Sequence, residues 1–212
     1  MKILRRLSVV AVVLAAACAT MPPVQFEPQT PNLAVASKRN LKLAVVVSDP
    51  MPYDVFYSGQ ACPKTPNRCY KRDMTAELRS GGFPLESALS RVVSETLSQA
   101  FSQVVVVRDL PQPGQYDGVV TLGIGRILNQ ERVVLTGETN DITAEWTMSV
   151  LDKQNKEILN TKGVSPMHNY PWSAFNPRPT FVKGISTKLS LILSELSKEW
   201  GATLYALDFN KS

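Results

Sequence analysis

The sequence predicts an α+β fold: a two-layer domain in which a mixed sheet carries its helices on one side. Three observations lead there. Between residues 41 and 107 a β-branched run, a helix-period segment and a second β-branched run follow one another. Residues 142–150 alternate strictly between apolar and polar, and a long amphipathic segment closes the chain after about Thr180. The first pattern implies a βαβ unit with parallel strands. The second implies antiparallel strands with one wet face, and the third a closing C-terminal helix.

Taken in order, Leu41-Lys42-Leu43-Ala44-Val45-Val46-Val47 reads as a buried strand that stops at Asp49-Pro50. Residues 51–83 carry Pro52, Pro63, Pro66, Gly59, Gly81 and Gly82 together with Cys62 and Cys69. They read as one long irregular loop, a length that in a compact domain is usually functional or independently ordered. Pro84 fits the first turn of a helix, and Leu85, Leu89, Val92, Val93, Leu97, Ala100 and Phe101 recur at spacings of three and four, so one face is apolar. Val104 to Val107 form a second buried strand. After a turn with Pro111, Pro113 and Gly114, a strand is expected over Gly118–Leu128. In the next, Ile142, Ala144, Trp146, Met148 and Val150 face a core while Thr143, Glu145, Thr147 and Ser149 face solvent. Asp152 to Lys156 make a polar turn and Glu157–Val164 returns as a hairpin partner. Residues 168–172 read as loop. Ile185, Leu189, Ile192, Leu193, Leu196 and Trp200 form one stripe of the closing helix.

The chain has 212 residues, 44% hydrophobic and 19% charged, enough for one core in one domain over 41–212. No repeat is visible, and no apolar run reaches the roughly 18 residues of a membrane-spanning helix. The start is different in kind. Lys2, Arg5 and Arg6 flank the apolar run Leu7 to Leu14, which ends in Ala15-Ala16-Ala17-Cys18, so residues 1–17 read as a signal peptide. The small residues before Cys18 resemble a lipobox, which implies acylation of the Cys18 sulfur and cleavage just before it. The usual leucine three places before the cysteine is Ala15 here, with Leu14 one place further back. Ala15 and Ala17 also satisfy an ordinary A-x-A cleavage site. Cysteine counting favours the lipid: three cysteines in an exported chain leave one over, and Cys62 with Cys69 form a local disulfide couple.

Cleavage removes three basic residues, so the net charge falls from +5 to +2, with 20 basic residues against 18 acidic. No Lys/Arg-rich block is present, which argues against nucleic acid as a partner. Ala19 rather than Asp follows the cysteine, which under the sorting rule of enteric bacteria implies the outer membrane, periplasm-facing, with acyl chains as a permanent anchor. Residues 18–40, with Pro22, Pro23, Pro28 and Pro31, read as an extended tether reaching up to about 60 Å.

Enzyme chemistry finds little support. His168 is the only histidine, so HExxH and multi-histidine metal sites are impossible and a catalytic triad would have to use it; it reads as a solvated loop residue. Zinc at Cys62 and Cys69 lacks two ligands, and no metal or other cofactor is expected. Gly123-Ile124-Gly125 lacks the third glycine of a dinucleotide fingerprint and reads as strand whose backbone is closely approached. Paired carboxylates for glycoside hydrolysis cannot be sorted from sequence.

Two segments read as contact surfaces. One is the cysteine-bearing loop with Tyr53, Phe56, Tyr57 and Tyr70; the other is Tyr170, Trp172 and Phe175 between Pro166 and Pro179. Rigid aromatics bury much area at little entropic cost, although the same residues can cover their own core instead. A lipobox at Cys18, a proline-rich tether, a βαβ unit, antiparallel strands and a closing helix together resemble small periplasm-facing outer-membrane lipoproteins of the YajG kind, whose domain is similar to the N-terminal domain of TolB. The cysteine-bearing loop departs from the compact version. The resemblance implies a non-enzymatic scaffold or docking subunit of an envelope machine, in contact with other cell-envelope proteins. The competing expectations are a lipoprotein that binds a lipid, glycan or peptidoglycan fragment between helix and sheet, and a cell-wall hydrolase.

Overall fold

A computed structural model describes residues 26–48, 53–58, 70–73, 85–134, 137–172 and 177–209. Cys18, Cys62, Cys69 and Phe175 lie outside the described residues, as does the signal segment. The elements are β1 (Arg39–Val47), β2 (Tyr53–Ser58), β3 (Tyr70–Asp73), α1 (Leu85–Ala100), β4 (Phe101–Val107), β5 (Gly118–Val134), β6 (Gly137–Asp152), β7 (Glu157–Val164), β8 (His168–Trp172) and α2 (Pro177–Ala206).

The fold is the expected α+β arrangement. β1 and β4 are parallel across α1, with Leu43 opposite Val104 and Val46 opposite Val107. β5 lies parallel on the other side of β1, from Leu43 opposite Gly118 to Val47 opposite Leu122. From there the sheet turns antiparallel. β5 and β6 pair along nearly their whole lengths, and β7 returns against β6. At the β6–β7 turn one oxygen of Asp152 accepts from the backbone N–H groups of Gln154 and Lys156 at 2.8 and 2.9 Å. Asn155 takes the left-handed conformation there (φ 62°), which asparagine tolerates better than most side chains.

Among the described residues the sheet holds eight strands where the sequence predicts five. The additional three follow from the lengths of β5 and β6, 17 and 16 residues against 9 for β1. β1 leaves the edge of β5 at Leu122, and β2 takes up the same edge, parallel, from Ile127 to Arg132. The change-over spans a register shift between Ile124 and Arg126, at Gly125. β3 then pairs antiparallel with β2, so the stretch expected as loop contributes two strands. β8, also expected as loop, pairs with the start of β6 from Ile142–His168 to Glu138–Trp172. It is an edge strand, which is where Pro171, lacking an N–H, is tolerated.

Both helices pack on one face of this sheet. The inward residues Leu43, Val45, Val120, Leu122, Ile124, Ile127, Ile142, Ala144, Trp146, Met148 and Val150 share one core with Leu85, Leu89, Val93 and Leu97 of α1 and Ile185, Leu189, Leu193, Leu196 and Trp200 of α2. Trp200 is 1% exposed and meets Trp146 edge to face, ring centres 5.9 Å apart. On the other face only a small cluster forms, Ala44, Tyr116 and Val119 with Val46, Val105, Val107 and Leu151 against it. Lys42 Nζ sits 4.6 Å from the centre of the Tyr116 ring there.

A third layer comes from the segment expected as a free tether. Residues 26–37 run along the groove between α1 and α2 on the side away from the sheet. Arg91 donates to the Pro28 carbonyl at 2.8 Å, Ser194 to that of Gln29 at 2.6 Å and Gln99 to that of Pro31 at 2.9 Å. Leu33 N–H donates back to Gln99 Oε1, Thr30 pairs with Glu95, and Tyr205 donates to the Ser37 carbonyl. Phe26 and Leu33 are buried at 6% and 7% exposure. Gly201 is what admits Leu33, since a Cβ there would lie 2.8 Å from the leucine Cδ1. Prolines leave carbonyls without local partners, and the helix side chains supply donors to them. Residues 26–37 are therefore not part of a free tether.

Trp200→Ala removes the largest fully buried side chain and its edge-to-face partner contact. The expected cost is about 3–5 kcal/mol, a fall of roughly 10 °C in Tm for a domain of this size, checked by circular dichroism melts.

Candidate functional site

The sequence-predicted aromatics other than Phe175 fall on β2, β3 and β8. Tyr53 and Tyr57 lie on β2 and Tyr70 on β3, with Tyr57 and Tyr70 directly opposite in the ladder. The connection that leaves β2 and enters β3 carries Cys62 and Cys69. Trp172 ends β8, opposite Glu138.

Tyr170 is corrected from contact candidate to core residue. It is 3% exposed, and its ring lies against Gly184 of α2, where a Cβ would clash with the ring. The glycine is the socket that lets β8 approach the helix. His168 is likewise not a free loop residue. Its Nε2 stands 2.8 Å from Glu195 Oε2 on α2, with the two side chains 19% and 45% exposed. A pair so open to solvent contributes at most about 1 kcal/mol. Its effect is to orient β8 along the helix.

Beneath Tyr170 lies a polar cluster inside the apolar core. Asn129 Nδ2 donates to the Tyr170 hydroxyl at 2.8 Å, and Asn140 is the ladder partner of Tyr170. Asn129 and Asn140 are 1% and 2% exposed. Among the described residues, Asn129 Oδ1 and Asn140 Nδ2 have no hydrogen-bond partner. One is an acceptor and the other a donor, and they sit two residues apart along the β5–β6 ladder. Together they complement a hydroxyl, an amide or a water that can donate and accept at once. No sequence motif marks this cluster. The available signal is positional: Asn129 continues the inward parity of Ile127, and Asn140 that of Ile142 and Ala144.

The buried carboxylates among the described residues do not converge. Asp152 ends β6 and Asp141 lies eleven residues earlier, roughly 36 Å away, against the approximately 5–9.5 Å of a glycosidase pair. Asp152 is committed to its turn. No group of three or more His, Cys, Asp or Glu placed to hold a metal occurs among the described residues. No helix among them is long and apolar enough to cross a membrane. Gly123 is closely approached as expected, since a Cβ there would clash with Ser48 Oγ, whereas at Gly125 the nearest atom would be the Glu145 carbonyl oxygen at 3.9 Å, an ordinary contact, so the expectation fails there.

Neither a protein-family model nor a curated protein matches the sequence. Among solved structures the chain is similar to protein XCC0632 from Xanthomonas campestris at 12% identity, covering 86% of this chain and 92% of that one, with a TM-score of 0.45. A minor lipoprotein from Acinetobacter baumannii matches at 10% identity over 80% of this chain and 93% of its own, TM-score 0.40. An uncharacterized lipoprotein B from Nitrosomonas europaea matches at 11% identity over 83% and 90%, TM-score 0.41. At these values none of the three assigns a ligand, a partner or a location to this chain.

Tyr170→Phe leaves the buried Asn129 amide without its acceptor and is expected to destabilise the domain by about 1–3 kcal/mol in urea denaturation. Adding Asn129→Leu to it should recover part of that loss, because both polar partners are then gone.

Proposed function

We propose that this chain is an outer-membrane lipoprotein, lipidated at Cys18 and facing the periplasm. In this reading it is not an enzyme but a scaffold or docking subunit in a multi-protein envelope complex for secretion, motility or envelope assembly. The observation that carries the anchoring is the run Lys2, Arg5, Arg6, Leu7–Leu14 and Ala15-Ala16-Ala17-Cys18, followed within a few residues by a folded domain. The contact role is supported by the division of labour in the fold. One face of the sheet is filled by helices, and the other presents Thr121, Thr147, Ser149 and Lys162 beside half-buried valines, a mixed surface suited to a partner.

A second reading has its own observation. The unpaired Asn129 Oδ1 and Asn140 Nδ2 lie between sheet and helix, where the polar end of a lipid, glycan or peptidoglycan fragment would need a donor and an acceptor. If the domain is such a carrier, muropeptide or phospholipid should co-purify with it and be lost on Asn140→Leu.

For the leading reading, Cys18→Ser is expected to shift the protein from the membrane to the soluble periplasmic fraction, with loss of the acylated N-terminal peptide in mass spectrometry. Trp172→Ala is expected to leave folding and attachment intact while reducing co-purification of partner proteins from native membranes. Buried anchors of this type cost about 2 kcal/mol of binding, roughly thirtyfold. A drop in melting temperature with full assembly would assign Trp172 to its own domain instead.

A further inference from the structure

We infer that the α1–α2 layer faces the bilayer and that the open face of the sheet is turned away from it. The inference rests on the proposed acylation of Cys18 and adds the direction in which the anchored domain points. Seven residues separate Cys18 from Phe26, and Phe26 is already buried in the domain. Fully extended, the eight steps between those two Cα atoms span at most about 28 Å.

The place where the chain leaves the domain is fixed by the docked segment. Going backwards from Leu33, its partners step from Gln99 to Glu95 and Arg91 on α1, and from Gly201 to Ser194 on α2. Phe26, two residues before Pro28, is buried in the core cluster that α1 and α2 share with the sheet, so the chain enters the domain on the helix side. A domain of this size has a radius of gyration near 16 Å and is about 40 Å across. A leash of about 28 Å is shorter than that width. The surface around its exit is thereby kept nearer the membrane than the face carrying Val105, Thr147 and Lys162.

Near that exit α2 exposes Leu191 at 42%, pointing away from the core formed by Leu189, Ile192 and Leu193, with Lys188 beside it. An apolar side chain and a lysine are suited to the headgroup region of an anionic bilayer, where the one inserts and the other pairs with phosphate. The face left to other proteins is then the open sheet.

The experiment places the photoreactive residue p-benzoylphenylalanine at Leu191 or at Lys162 in the full-length chain, irradiates native membranes and weighs the adducts. Phospholipid adducts are expected from position 191 and none above background from position 162. Inserting about twenty Gly and Ser residues between Met21 and Pro22, which lengthens the leash to about 95 Å, should remove the difference while leaving the docked segment intact. Adducts from both positions of the unlengthened chain, from position 162 alone, or from neither overturn the orientation. The mass of the N-terminal peptide from the same membranes separates the two readings: an unmodified Cys18 refutes the anchoring, whereas an acylated Cys18 without the bias refutes only the orientation.

Discussion

The β5–β6 ladder is the constraint from which the rest of the structure follows. Its sixteen paired positions run from Gly118–Asp152 to Val134–Gly137, and every other strand except β3 and β4 pairs directly with one of the two. Because side chains alternate, a slip of one residue would turn Leu122, Ile124, Met148 and Trp146 out to water and bring Thr121, Thr147 and Ser149 in. Burying or exposing side chains of that size is worth about 1.5–3 kcal/mol each, so the register is held by several such side chains at once. The shift at Gly125 lets a ladder this long change its edge partner from β1 to β2 while Ile124 and Ile127 both stay inward.

What the sequence makes legible is what depends on local period. Leu85 to Ala100 and Ile185 to Trp200 show their faces because a helix repeats every three to four residues, and 142–150 shows its face because a strand repeats every two. β2, β3 and β8 have no such self-contained record. They are four to six residues long, and they form because β5 and β6 extend past β1 and β7 and leave ladder groups that need partners. Tyr53, Val55 and Tyr57 do carry strand propensity, but prolines and cysteines on either side outweigh it in a local reading. Tyr170 shows the same limit from the other side. An aromatic between prolines looks exposed until Gly184, fourteen residues later, supplies the socket.

The docked segment before β1 illustrates a different failure of local reading. Pro28 and Pro31 disfavour helix and sheet, and the usual consequence is a solvated extended chain. Here the extended geometry is what allows docking. It presents carbonyls to Arg91, Ser194 and Gln99 on one side and drops Phe26 and Leu33 into the groove between the helices on the other. The information sits in the helices, at positions that a helical-wheel reading assigns to solvent. Proline also lowers the entropy lost on docking, because its backbone is already confined before it binds.

The candidate site divides along the same line. The fold uses one face of the sheet for both helices, and the helices use their outer groove for the docked segment, so three layers are consumed by stability. Two features are left over that stability does not require. One is the Asn129–Asn140–Tyr170 cluster, in the half of the sheet that β8 and α2 cover. An apolar trio of similar size would fill that space without orphaned polar atoms, and the unpaired oxygen and amide each carry a desolvation cost of about 1–3 kcal/mol unless something meets them. The other is the face opposite the helices, where threonines and serines stand beside the half-buried Val46, Val105 and Val107. Position decides between their roles. The cluster is enclosed and suits a small polar guest or an ordered water, whereas the other face presents a mixed polar and apolar surface.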